Sequence, residues 1–158
     1  MCTDPQLTNL QTTCLGAGST TALCNAAIAA NQDCARCVFG ALAGDNPATT
    51  PLPALIPVSD DAVSANIGAC AALVIGRADC TVPLTSEAVC TSSACATCMD
   101  ETSEEVCTAT AKRNICRTTV DAACGAAVAG AQATWGPTCL GTNFADTYMK
   151  VGRVLCGP

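Results

Sequence analysis

Fifteen cysteines are spread along 158 residues, and what they bond to decides what this chain can fold into. A ten-residue step recurs among them. Cys14, Cys24 and Cys34 stand ten apart and Cys37 follows. Cys70, Cys80 and Cys90 also stand ten apart, and Cys95 and Cys98 follow. Cys107, Cys116, Cys124, Cys139 and Cys156 continue the series, and Cys2 begins it. Ten residues are close to three helical turns. The repeated spacing suggests a duplication within one domain over 1–158. Its halves would be 1–46 and 59–158, joined by a Pro-rich crossover at 47–58.

Composition explains why cross-links are needed. Half the residues are hydrophobic, but thirty are Ala and fifteen are Cys. The aromatic residues are Phe39, Trp135, Phe144 and Tyr148. Large apolar side chains supply most burial free energy, at about 25 cal/mol per Å². An Ala-rich chain of this size builds a thin core and needs covalent or metal support.

Four kinds of cysteine chemistry compete. Cys34-Ala-Arg-Cys37 and Cys95-Ala-Thr-Cys98 have the C-x-x-C spacing of a thiol redox site, but such a site follows a strand, and none is evident here. Two C-x-x-C knuckles at short separation point to zinc. These lie far apart, in helical sequence, with no His in the chain. Cysteines lining a helical bundle suit Cu(I), similar in idea to the bacterial copper-storage bundles, although those use C-x-x-x-C pairs. Cysteines placed at one or two per short helix suit disulfides, each contributing about 2–4 kcal/mol. We expect fourteen of them, Cys14 through Cys156, in seven bridges. "CTSSACATC" (Cys90 to Cys98) is then one helix whose cysteines reach different neighbours. The odd cysteine is assigned to Cys2, as a free thiol or a lipid attachment point. The equal alternative is that Cys2 pairs and another thiol is left over.

Periodicity and caps predict an all-α fold of about six or seven short helices with no sheet. Asp4-Pro5 opens the first, which runs to Leu15 and stops at Gly16. Ser19 or Thr20 opens the second, and Asp33 opens the third. Ser59-Asp60-Asp61 opens a fourth over Ala62–Gly76, and Thr85 opens a fifth. Ser103 opens a long sixth that runs to Ala131 whole or with one break, and Asn143 or Thr142 opens the last. Pro47, Pro51, Pro53 and Pro57 make the crossover extended. Its Leu52, Leu55, Ile56 and Val58 are apolar enough to form a flap over a groove. The acidic group Asp100, Glu101, Glu104 and Glu105 reads as a helix start, favoured by the dipole.

Charge and residue types exclude several functions. Net charge is −6 with seven Lys and Arg, so no basic surface is available for nucleic acid or for anionic membranes. Without His there is no Ser-His or Cys-His pair. No phosphate loop or nucleophile elbow is present. We expect no enzyme activity, no cofactor and no resident metal. No apolar run reaches the eighteen or so residues of a membrane span. The stretch "MCTDPQLTNLQTTC" has no basic start or apolar run of a leader. Either a leader preceded Cys2 and was removed, or the chain begins here in a reducing compartment.

The segment "CTSSAC" (Cys90 to Cys95) resembles the C-x-x-x-x-C helix of the small secreted elicitins, all-helical sterol carriers. The likeness covers six residues, and the cysteine number and spacing otherwise differ. It implies that such a composition can enclose an apolar ligand. The expected function is therefore a secreted or cell-surface, non-catalytic protein that binds an apolar small molecule or lipid between helices. Its groove would be lined by Phe39, Leu52, Leu55, Ile56, Val74 and Ile75. The alternatives are a self-associating structural protein of the envelope or extracellular space, and a Cu(I)-thiolate store. The location expected is extracellular, or the periplasm or outer envelope of a bacterium.

Overall fold

The computed structural model describes residues 1–46, 52–59, 62–98 and 100–158, with the backbone alone at Glu101. Pro47, Pro51 and the Asp60-Asp61 pair lie outside the described residues. Nine α-helices and one two-stranded ribbon are found among them. The order is α1 (Asp4–Leu10), a π-helical turn (Gln11–Leu15), α2 (Thr21–Ala30) and α3 (Gln32–Phe39). Next come β1 (Leu55–Ser59), β2 (Ala62–Ala65), α4 (Ile67–Val74) and a 3₁₀ turn (Ala78–Cys80). Then follow α5 (Thr81–Cys95), α6 (Glu101–Arg113), α7 (Ala122–Gly130), α8 (Gln132–Cys139) and α9 (Phe144–Cys156).

Caps set several boundaries. Thr20 accepts from the Leu23 N–H at the start of α2, and Asn143 from the Asp146 N–H at the start of α9. Gly40, at φ 86°, ends α3 four residues before the expected stop at Gly44. Positive φ is open to Gly at little cost. The long sixth helix is broken once into α6 and α7, and α7 is capped by Asp121, which accepts from the Ala123 and Cys124 N–H groups.

The expectation of a chain without strands is corrected over 55–65. Leu55 pairs with Ala65, Ile56 with Ser64 and Pro57 with Val63, antiparallel. A two-stranded ribbon is marginal alone, and this one rests on α5 and α3. Pro57 is exposed, where its missing N–H does little harm. The fourth helix therefore begins at Ile67 rather than Ala62. Its cap is Asn66, which is fully buried. The Asn66 Oδ1 accepts from the Ala69 N–H at 3.2 Å. Its Nδ2 donates to the Pro53 carbonyl and the Thr85 hydroxyl, both at 2.9 Å. One amide thus holds the loop before β1, the start of α4 and the side of α5.

The main core draws on residues from both sides of the Pro-rich segment. Leu7 and Leu10 of α1, Val38 of α3, Leu55 of β1, and Tyr148 and Val151 of α9 are all buried in it. Gly152 lets α9 come close to α1, since a Cβ there would lie 3.0 Å from Leu7 Cδ2. The Tyr148 hydroxyl donates to the Leu7 carbonyl at 3.1 Å. Burial pushes the Tyr148 phenol above its ordinary value.

Seven bridges frame this thin core. Cys2 pairs with Cys34, Cys14 with Cys24, Cys37 with Cys156, Cys70 with Cys139, Cys80 with Cys124, Cys90 with Cys116 and Cys95 with Cys107. No bridge crosses another. One nest has Cys14–Cys24 inside Cys2–Cys34. The other has four bridges, each inside the last, within Cys37–Cys156. The odd cysteine is thus Cys98, not Cys2. Cys2 is buried, and its N–H donates to the Cys156 carbonyl at 2.6 Å, so both chain ends meet beside α3.

Replacing Asn66 with Ala is expected to cost about 2–3 kcal/mol, from the lost cap and the stranded Thr85 and Pro53 groups. Urea unfolding checks this, with Thr85→Val as the milder comparison. Tyr148 is the single tyrosine. Absorbance titration at 295 nm is expected to show it ionising above the usual value of about 10. Because the folded state raises this pKa, the associated stability is complete below pH ~10 and declines as pH rises further. A midpoint at the ordinary value would mean that the phenol is exposed.

Candidate functional site

The six residues expected to line a groove take up positions in the packing. Leu55 and Ile56 are 2% exposed. Phe39, Val74 and Ile75 are half-buried and pack on the main core, and Leu52 is half-buried beside the ribbon. The expected flap is a strand and the loop leading into it.

A different feature stands out where α5 runs into α6. These helices form an antiparallel arm. Its own small apolar cluster of Cys95, Ala111 and Cys116 is separate from the main core. α5 also packs on α4 and β1, while α6 packs chiefly on α5. Two bridges close the arm: Cys95–Cys107 near the tip and Cys90–Cys116 near the base. The Lys112 ammonium lies 2.6 Å from the Glu87 carboxylate across the pair. The helix expected through Cys98 stops at Cys95, so Cys98 sits in the loop beyond it.

That loop is fixed by the start of α6. Asp100 caps α6 by accepting from the Ser103 N–H at 2.9 Å, and the Ser103 hydroxyl bonds back to Asp100. These bonds hold the Asp100 carboxyl below the usual carboxylate range. The expected reading of the acidic group as a helix start fits Asp100. The Glu101 side chain lies outside the described residues. Glu104 and Glu105 instead line a shallow depression with Thr108, Ala109 and Lys112.

Inside the loop, the Sγ atoms of Cys95, Cys98 and Cys107 all lie within 4.8 Å of one another. Two of them share a bridge, and the third is a half-buried free thiol. A second group of possible ligands, Asp79, Cys80 and Cys124, differs in kind. Its two sulfurs are bridged, and the Asp79 carboxylate is bonded to Arg77 at 2.7–3.2 Å.

Two large apolar side chains are exposed on the arm, one in the middle of α6 and one in the turn after it. Val106 is 64% exposed and Ile115 72%. Ile115 borders a depression of about 260 Å³ lined also by Ala94, Cys107, Thr110, Ala111 and Asn114. Val106 shares a helix face with Thr110. Sequence reasoning passed over both residues. Val106 is a lone large apolar residue in "ETSEEVCTATAKR", and Ile115 sits in the turn after it. The one available signal was that a helix so polar has little need of a valine on its outer face.

Compared with known protein families, curated proteins and solved structures, this chain matches none. What the molecule itself supports is a cysteine-rich, disulfide-stapled, mostly helical chain, as expected of a secreted cysteine-rich protein. Among the described residues, no helix is long and apolar enough to cross a membrane.

The intact oxidised protein is expected to weigh fourteen hydrogens less than the reduced chain, as seven bridges require. Alkylation of the native protein, with brief exposure and acid quench, is expected to add one group per chain and none at Cys2. A lipid or an alkyl group on Cys2 would refute the Cys2–Cys34 bridge.

Proposed function

We propose that this is an extracellular or cell-surface, non-catalytic protein that works by self-association through its α5–α6 arm. The observation that carries this reading is the exposure of two large apolar residues, Val106 on α6 and Ile115 in the turn after it, on an arm braced by two bridges. The distribution of charge supplies the partner. Exposed Glu104 and Glu105 stand at the start of α6, and exposed Arg113 and Arg117 at or beyond its end. Two copies of α6 laid antiparallel about a two-fold axis bring the acidic end of each onto the basic end of the other. Such an interface is self-complementary. Seven bridges suit an oxidising location.

An apolar small molecule has the depression beside Ile115 as its support. At about 260 Å³ it is below the roughly 300–1,000 Å³ of small-molecule sites, and the residues expected to form a groove serve the core. A copper store would need the bridged sulfurs to be reduced.

Sedimentation equilibrium of the oxidised protein is expected to show reversible dimers at micromolar to millimolar concentrations. Added salt should weaken them, since rim charges are screened. Val106→Asp together with Ile115→Asp is expected to shift the dimer constant at least tenfold without changing the bridges. A chain that stays monomeric at ~1 mM would overturn the reading.

A further inference from the structure

We propose that Cys98 and the Cys95–Cys107 bridge form an internal thiol–disulfide exchange site, through which the arm interconverts between disulfide isomers. The three sulfurs lie within 4.8 Å of one another. Reacting atoms attack from about 3–3.5 Å, so at most about 1–2 Å of closure is needed. The Cys98 thiol is directed by its contact with the Ser103 carbonyl, 3.6 Å away. Ser103 is itself fixed by the cap at Asp100. The free sulfur is therefore held beside the bridge by the start of α6.

The reaction balances within the chain. The Cys98 thiolate forms a bond to Sγ of Cys107 or Cys95 while the Cys95–Cys107 bond breaks. The released sulfur leaves as a thiolate and takes up the proton that Cys98 gave up. One bridge forms, one is lost, and no oxidant or reductant is consumed. The Cys98–Cys107 isomer still ties α5's end to α6. The Cys95–Cys98 isomer closes the C-x-x-C pair on itself and leaves Cys90–Cys116 as the arm's cross-helix bridge. The arm can thus be tightened or loosened at constant oxidation state. The other bridged cluster, at Cys80–Cys124, has no third thiol beside it.

The test counts free thiols in oxidised, monomeric protein. In Cys95→Ser, folded with oxidised glutathione as the two-electron oxidant, sulfurs close enough to exchange are expected to form a Cys98–Cys107 bridge and leave no free thiol. In Cys107→Ser, folded the same way, a Cys95–Cys98 bridge is expected, again with no free thiol. Cys14→Ser, whose orphan Cys24 lies outside the nest that holds Cys98, is expected to keep two. No free thiol in either arm variant, as a monomer with the new bridge found by unreduced peptide mapping, supports the site. Two free thiols in both, or loss of thiols only through linked dimers, overturns it. Should neither variant fold, prolonged maleimide labelling of the wild type decides. Label at Cys95 or Cys107 as well as Cys98 supports exchange, and label confined to Cys98 overturns it.

Discussion

The fold depends on the bridge between Cys37 and Cys156, which ties the end of α9 to α3. Two residues before Cys37 in the helix, Ala35 is buried in the same core, and Cys34 holds Cys2. One short helix therefore carries both ends of the chain. With the ends fixed, the remaining polymer is a closed loop, and the other bridges of the nest divide it into successively smaller loops. Each intact bridge restricts the unfolded chain mainly over the segment between itself and the next. A non-crossing order of bridges is the simplest covalent outline for helices that run out along one path and return along another.

This outline lets a modest core suffice. Leu7, Leu10, Val38, Tyr148 and Val151 concentrate the large side chains where α1, α3 and α9 meet. Beyond them, layers are held by Ala and Cys, as at Ala72, Cys80 and Cys124. Buried polar groups substitute for missing bulk at one point. Asn66 satisfies its whole side chain with Pro53, Thr85 and Ala69, so it joins three segments without the penalty of an unpaired amide. The bidentate Arg153–Asp4 pair, at 2.8 Å, sits over the junction of the chain ends. It is exposed, and such pairs contribute little beside a covalent bond.

Local chemistry made part of this fold legible. Thr20 before α2 and Asn143 before α9 are caps whose partners lie three residues away, so sequence narrows each to two neighbours, Ser19 or Thr20 and Thr142 or Asn143. The ribbon was hidden because "AVSAN" has the Ala of a helix and too few residues to show alternation. What makes it a strand is the register with Leu55 and Ile56, set by burial against α5. Asn66 could not be read as the cap of α4 without knowing that Pro53 and Thr85 would come to its side chain. Cysteine pairing is decided by which Cα atoms approach to about 4.4–6.8 Å, a property of the packed chain. The ten-residue spacing in fact serves two geometries. Cys14 and Cys24 bridge each other, whereas Cys70, Cys80 and Cys90 each reach forward to a later cysteine. The leftover thiol followed from the same packing, since Cys2 meets Cys34 only once both ends gather at α3.

The place of the free thiol matters within that outline. Every outer bridge of the nest encloses another, so moving one would disturb the loops inside it and the core around it. Cys95–Cys107 is the innermost, twelve residues apart, with no bridge inside it. Its cluster is small and lies away from the main core. A rearrangement there changes how α6 is held against α5 while Cys90–Cys116 still closes the base. It is therefore the bridge of this nest whose change disturbs the fold least, and it bears directly on α6, which among the described residues packs chiefly on a single neighbour.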